Sequence, residues 1–359
     1  CLIAHEPIQN SVKLSLFVSP SPTREFMRPF DKPRAELDDT SILVTGGTGS
    51  FGNAFIKAVI REFRPSRLIV FSRDELKQSE MQSDPLFSKE PSLRFFLGDV
   101  RDVNRLESAM RDVDFVIHAA ALKQVPAAEY NPFECIHTNV LGAQNIVQAA
   151  IRAKVKRVVA LSTDKATNPI NLYGASKLAA DKIFVAGNNM AGSVGVRFSV
   201  VRYGNVLGSR GSVVQIFRNM LANGIREMPI TDERMTRFWI TLEQGVSLVL
   251  SSLALMRGGE IFVPKIPSSK LTTLVKAMDA KAFHKVVGIR PGEKVHEVLI
   301  SEDDARSTVD LGDRYIVQPT YPQWEKTRMI TDIGTPVPEG FSYSSNKNAE
   351  VIDARTLRT

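Results

Sequence analysis

The sequence predicts an α/β fold, a doubly wound parallel sheet with a smaller C-terminal cap. Three observations carry this. Apolar runs of strand length alternate with amphipathic helical stretches through about the first 200 residues. Gly46, Gly49 and Gly52 stand three apart between the first such run and the first helix. The stretch Ser162 to Lys177 gathers titratable groups where one apolar run ends, the place where open α/β sheets bind ligands.

Size and composition agree. A chain of 359 residues, 43% hydrophobic and 24% charged, has ordinary globular values and length for a sizeable core. The net charge of +7 suits small anionic ligands such as nucleotides. Its basic residues are scattered, with no Lys/Arg run or aromatic platform, so nucleic acid is not expected as a partner. The only cysteines, Cys1 and Cys135, form no disulfide framework and fit a reducing, cytoplasmic compartment. No run nears the ~18 apolar residues of a transmembrane helix, so no membrane association is expected. Leu14–Val18 is too short for a secretory signal. The chain opens on Cys1 rather than Met, which leaves room for an upstream portion. No metal ion is expected.

Taken in order, residues 1–40 lack a period, are broken by Pro20, Pro22, Pro29 and Pro33, and read as a poorly ordered tail. Ile42-Leu43-Val44 is a buried strand. The loop Thr45 to Gly52 follows, then a helix with Phe55, Ala58, Val59 and Phe63 on one face. Its glycines let backbone approach a pyrophosphate resting on the helix N-terminus. Leu68–Phe71 is the second strand, ending in Ser72-Arg73-Asp74 with Lys77 a turn later. Arg73 and Lys77 favour a 2′-phosphate, so NADP is expected over NAD, although Asp74 argues the other way.

The third strand, Leu93 to Val100, places Asp99 to accept from an adenine amino group. Phe115–His118 is the fourth, and Ala119 and Ala120 after it let backbone lie flat against a cofactor. A long helix from about Pro132 to Arg152 carries Asn139, and Val158–Leu161 and Phe198–Tyr203 are the fifth and sixth strands. Beyond 207 the pattern loosens. Helices are expected near 212–222, 242–256 and 270–280, strands near 228–231 and 260–263, and a further helix opening at Ile289–Lys294. The divisions are a tail at 1–40, a cofactor domain at 41–206, a cap with returns to the core at 207–318, and a peripheral tail at 319–359.

Tyr173 and Lys177 stand four apart at a helix start, hence on one face. A cation beside a phenol favours the phenolate. Asp164 and Lys165 add an acid and an amine at the strand end.

With the glycine loop, Asp99, Thr163, Tyr173-x-x-x-Lys177 and Arg202-Tyr203-Gly204-Asn205 in register, residues 41–318 resemble an extended short-chain dehydrogenase/reductase of the Rossmann type. Thr163-Asp164-Lys165, Ser72 to Lys77, Arg234 to Trp239 and Arg290 to Lys294 are similar to the soluble inverting UDP-N-acetylglucosamine 4,6-dehydratases. Those hydro-lyases begin pseudaminic acid synthesis, often for flagellin glycosylation. The resemblance implies a tightly bound NADP that is recycled in each turnover. Gly46, Thr48, Gly49, Ser50, Phe51, Gly52, Ser72, Arg73, Lys77, Asp99, Val100, Ala119, Ala120, Tyr173, Lys177 and Val206 would hold it. Tyr173 takes the C4 hydroxyl proton, Lys165 strips C5 if neutral, and Asp164 protonates the leaving C6 hydroxyl, with Thr163 and Lys177 beside them. Burial and the nicotinamide cation are expected to depress the pKa of Lys165. Lys123, Asn205, Arg210, Val213 and Arg290 are expected near the sugar or diphosphate of UDP-N-acetylglucosamine, and Glu293 on the uridine ribose. The resemblance also implies a homo-oligomer, of the order of a hexamer.

Retaining sugar dehydratases carry Asp-Glu where this chain has Asp164-Lys165, and long membrane-bound relatives carry Met at the Tyr173 position. Two alternatives stay open. A 4-epimerase of the same superfamily needs the Tyr/Lys pair but no acid/base pair for C5 and C6. A non-catalytic NADP-binding scaffold keeps the glycine loop and loses the Tyr/Lys pair, whereas this chain keeps both.

Overall fold

Six apolar runs become six parallel strands, β1 (Ser41–Thr45), β2 (Arg67–Ser72), β3 (Leu93–Leu97), β4 (Phe115–His118), β5 (Arg157–Thr163) and β6 (Arg197–Tyr203). The structure, a computed structural model, describes residues 28–319 and 334–358. These strands lie in the order β3-β2-β1-β4-β5-β6. The chain winds outward one way from β1 and then the other way from β4, so a crevice opens above their carboxyl ends. The central strands read as unbroken Val/Ile/Leu runs because helices cover both faces; Ile42, Leu43 and Val44 are fully buried.

Helix α1 (Ser50–Glu62) buries Phe55, Ile56 and Val59 at the three- and four-residue spacing of one face. Helix α2 (Glu75–Ser83) starts on Asp74, whose carboxylate accepts from the Lys77 amide. The long helix expected from Pro132 to Arg152 is composite. Pro132–Ile136 and α3 (Gly142–Arg152) are joined by a π-helical turn, His137–Leu141. Helix α4 (Leu172–Met190) starts on Asn171, whose Oδ1 accepts from the Gly174 amide at 2.7 Å.

Past β6 the chain alternates between cap and sheet. The cap contains β7 (Asn205–Val206), α5 (Val213–Ala222), β8 (Glu227–Ile230), β9 (Thr236–Ile240) and, after a return to the core through α6 (Leu242–Leu255) and β10 (Ile261–Pro264), β11 (Ser268–Lys270), α7 (Leu271–Met278) and β12 (Phe283–Val286). It has its own small core, centred on Phe217, Met228, Trp239 and Leu274. β13 (Val298–Ile300) follows, and β14 (Thr308–Asp310), β15 (Arg314–Val317) and β16 (Thr335–Pro336) extend the main sheet antiparallel beyond β10.

Four expectations change. Residues 28–40 are not a loose tail. Phe30 and Leu37 are buried in the main core, the Arg314 guanidinium lies over the Phe30 ring, and the Ala35 amide donates to Leu250. Residues 1–27 lie outside the described residues. Ile289–Lys294 opens no helix, because Gly292 takes a left-handed φ of +74° and the Glu293 amide turns back onto the Arg290 carbonyl. The C-terminal stretch is not peripheral where described. β17 (Tyr343–Ser344) pairs with β13, and the buried Tyr343 hydroxyl donates to the Ile266 carbonyl at 2.9 Å; residues 320–333 lie outside the described residues. β3 also ends at Leu97, short of Val100. Among the described residues no helix is long and apolar enough to cross a membrane.

Candidate active site

A cleft of about 530 Å³ opens at the carboxyl ends of the parallel strands. Its floor is the loop between β1 and α1. Gly46 has φ +63°, and a Cβ there would meet the Ala120 amide nitrogen at 2.9 Å. At Gly52 a Cβ would lie 2.5 Å from the Gly47 Cα. Only glycine fits where the loop crosses β4's end and where α1 begins. Gly49 caps α1 without a side-chain hydrogen bond, leaving the first amides of the helix for a ligand. The Thr48 and Ser72 hydroxyls meet at 2.9 Å and tie the loop to β2.

Every residue expected at the dinucleotide, from Gly46 to Val206, lines this cleft. At its far end, Lys77 is bonded to Asp74, and Arg73 leans toward Asp99 at 3.6 Å. Burial pushes the Asp99 carboxyl up, but hydrogen bonds from the Arg101 side chain and amide outweigh it and hold the group low.

The π-turn has a visible task. It swings Asn139 inward, where its amide accepts from the Leu122 backbone at 2.8 Å and donates to the Ser176 hydroxyl at 2.9 Å. That fixes the wall between β4 and α4. Tyr173 and Lys177 both face the cleft from α4. Lys177 Nζ donates to the Leu161 carbonyl at 2.7 Å, and burial pulls its pKa down against the pull of Asp181. The phenol does not behave as the four-residue spacing suggests. Burial pushes Tyr173 up to about 12, and the cation that opposes this is Lys165, not Lys177.

Thr163 ends β5 and starts a short 3-10 turn, Asp164–Ala166, donating to Asp164 Oδ1 at 3.0 Å. Thr163 lines the cleft; Asp164 and Lys165 lie just beyond it toward the cap. Lys165 Nζ stands 3.0 Å from Asp164 Oδ1 and 3.2 Å from Glu297 Oε1, with 26% of its side chain exposed. Burial alone would lower the Lys165 pKa, as expected from the sequence, but the two carboxylates outweigh it and raise it. Burial, with Glu297 close by, raises the Asp164 carboxyl. Glu297 is held low against its burial by Lys165, Arg237 and Lys294.

The expected substrate residues divide. Lys123 donates to the Arg210 carbonyl at 2.8 Å, and Arg210 reaches the glycine loop, its guanidinium on the Thr48 carbonyl at 2.9 Å and its amide on Ser50 Oγ at 3.1 Å. Both therefore stand over the dinucleotide end of the cleft. Asn205, on β7, keeps a buried Oδ1 with no hydrogen-bond partner. Val213 begins α5 and packs on the small cap core. Exposed Arg290 shares a turn with Glu293, and Glu293 lies 3.7 Å from the Arg237 guanidinium.

Sequence reading missed Glu297 and gave Arg237 no role. Arg237 is 5% exposed and Glu297 2%, and a strongly polar residue just before an apolar strand was the available signal.

The sequence model of a family described as polysaccharide biosynthesis protein matches residues 42–319. A Campylobacter jejuni protein named UDP-N-acetylglucosamine 4,6-dehydratase (inverting) is 55% identical over 313 residues, 86% of this chain and 93% of that one. A Rickettsia canadensis protein named UDP-glucose 4-epimerase is 45% identical over 286 residues, 77% of this chain and 82% of that one. Among solved structures, Pen from Bacillus thuringiensis matches with a TM-score of 0.81 at 34% identity, covering 90% of this chain and 97% of its own. DesIV, a dTDP-glucose 4,6-dehydratase from Streptomyces venezuelae solved with NAD bound, matches at 0.61 and 25% identity, covering 71% and 87%.

Proposed function

Because the chain belongs to the polysaccharide biosynthesis protein family and is built as an extended short-chain dehydrogenase/reductase, we propose the following reading of its cleft. The protein is a hydro-lyase that removes water from UDP-N-acetylglucosamine across C5 and C6 with inversion at C5. Its product is UDP-2-acetamido-2,6-dideoxy-β-L-arabino-hex-4-ulose. The observation that carries this is the pairing of a buried acid with an amine, Asp164 and Lys165, 3.0 Å apart at the end of β5 and beside Tyr173. Their order also separates this site from one with a carboxylate base.

The cleft suits a nicotinamide dinucleotide, since Gly46 and Gly52 have no room for a side chain and the amides of α1 are uncapped. When bound, that group supplies reversible hydride acceptance, taking hydride from C4 and returning it at C6. Arg73 and Lys77 favour the form with a 2′-phosphate, NADP; Lys77 has only to exchange Asp74 for the phosphate.

The chain's own residues move the protons. Tyr173 accepts the C4 hydroxyl proton, after the phenol has been drawn down from the high value it has in the free protein. The C4 ketone acidifies C5–H. Lys165 removes that proton in its neutral form. Asp164, whose burial favours its protonated form, donates to the departing C6 hydroxyl. Thr163 orients Asp164, and Lys177 keeps its ammonium at the cleft wall. Reprotonation of C5 on the opposite face inverts the centre. Arg290, Arg237 and Asn205 stand toward the diphosphate and sugar, and Glu293 toward the uridine ribose.

A UDP-sugar 4-epimerase is the second reading, favoured by the 45% identity to the Rickettsia canadensis protein. Incubation with UDP-N-acetylglucosamine decides between them. A product lighter by one water supports dehydration; an isobaric product removes it. The same reading places the enzyme in the cytoplasm, where nucleotide sugars are made, as a homo-oligomer opening pseudaminic acid synthesis for flagellin glycosylation.

A further inference from the structure

Glu297 precedes β13, and its side chain is 3% exposed. One oxygen, Oε1, lies 3.2 Å from Lys165 Nζ and 3.8 Å from Arg237 Nε. Its other oxygen, Oε2, is buried with no hydrogen-bond partner. Asp164, on the other side of the same ammonium, also has a bare buried oxygen, Oδ2. A buried lone pair left without a donor is costly, so an ion pair that only braces the fold is expected to satisfy its oxygens. Asp164 and Glu297 thus flank one amine, each keeping an oxygen to which no protein group donates.

We propose that Glu297 is a positioning residue for proton transfer from C5, seating the Lys165 amine against Asp164 and holding the proton on Lys165 once it has left the sugar. This rests on the dehydratase reading. At rest the pair is an ammonium and a carboxylate. Shift of one proton across the 3.0 Å hydrogen bond from Lys165 to Asp164 gives a neutral amine and a carboxylic acid, the two forms the reaction needs. The amine lone pair then takes the C5 proton. The electron pair left behind forms the C5–C6 double bond, the C6–O bond breaks, and the Asp164 proton joins the hydroxyl as water. Lys165 ends as an ammonium, Asp164 as a carboxylate, and Glu297 is unchanged.

Inversion gives Glu297 its purpose. It requires that the group which took the C5 proton does not return it to the same face. An ammonium between two carboxylates is a poor acid, so the proton stays and C5 takes its new proton from water on the other side.

The test uses Glu297→Gln in the full chain, with two readouts. In the free protein, ¹³C-lysine NMR should show Lys165 titrating at least about 1 pH unit lower than in wild type. With C5-deuterated UDP-N-acetylglucosamine in ordinary water, kcat should fall about 100-fold, the cost of a misplaced base, at unchanged KM. A detectable fraction of the product should keep deuterium and the original C5 configuration. Wild-type titration, kcat and full inversion in this variant would overturn the proposal. If Gln prevents folding, Glu297→Asp keeps the charge one methylene back and should show intermediate kcat with C5 still inverted; wild-type kcat there overturns it equally. If wild-type enzyme releases no water, the dehydratase reading fails on its own, while the NMR shift still reports the Glu297–Lys165 pair.

Discussion

The Asn171 side-chain amide donates to the Gly292 carbonyl at 2.8 Å while its Oδ1 caps α4. One side chain thus joins the start of the helix bearing Tyr173 and Lys177 to the turn bearing Arg290 and Glu293. Asn171→Ala should cost about 1 kcal/mol of stability through the lost cap. It should also raise KM for the UDP-sugar up to about tenfold, the worth of one hydrogen bond, with cofactor affinity unchanged. Thermal unfolding and steady-state kinetics check both; an unaltered KM would show that the turn needs no tether.

Lys165→Ala should bind cofactor normally and still oxidise C4, though more slowly, because the Tyr173 phenol loses the cation that draws it down. Water loss should drop about 10²- to 10⁴-fold, the usual weight of a general base. A single turnover followed by the near-ultraviolet absorbance of reduced nicotinamide, with product mass alongside, separates the two steps.

Arg73→Ala should weaken NADP about 10- to 100-fold, as expected for loss of a charge-assisted hydrogen bond. NAD affinity should hardly change. Comparative titration with NADPH and NADH measures this, and equal losses for both would place Arg73 off the 2′-phosphate.

Arg202 is 2% exposed and ties β6 to α4 through Asp181 and to the stretch after β13 through Asp304, each at 3.2 Å, and to the Thr167 hydroxyl at 3.0 Å. Arg202→Leu leaves the buried Asp181 carboxylate without its cation and should cost about 3–5 kcal/mol. Urea unfolding measures it.

His118 is fully enclosed, its Nδ1 2.8 Å from the Thr45 hydroxyl, and burial with help from Lys177 lowers its pKa to about 3. The unfolded chain takes up this proton near the ordinary imidazole value of 6.5 and the folded chain only near 3. Stability tied to neutral His118 is therefore complete above 6.5 and lost as pH falls from there toward 3. His118→Gln should flatten the acid limb of an unfolding free energy against pH curve.

The cofactor half of this molecule was legible because local signals sufficed. Strand-length apolar runs, the glycine spacing between the first run and the first helix, and the Tyr173/Lys177 spacing each act within a few residues. The partners of Lys165 were not legible. Glu297 reaches it only after β13 is placed by pairing with β17, a contact between distant segments that periodicity does not encode. The electrostatics followed the same divide. From the sequence, burial alone bears on Lys165, whereas in the fold two carboxylates reverse the direction. Residues 28–40 misled because their prolines signal disorder, yet Phe30 and Leu37 find cover in the core. The Ile289–Lys294 stretch was expected to open a helix, when Gly292 was the deciding residue.

The widened turn His137–Leu141 sets a limit on what this helix can lose. Deleting a single residue there would close the turn into ordinary helix, with the parts on either side still in line, and would draw back the residues that the widening pushes toward the cleft. Asn139 would let go of the Ser176 hydroxyl and of the Leu122 backbone, while Cys135 and Ala128 would keep their places against Tyr173. A shortening that an exposed helix end would absorb would here loosen the wall behind Tyr173.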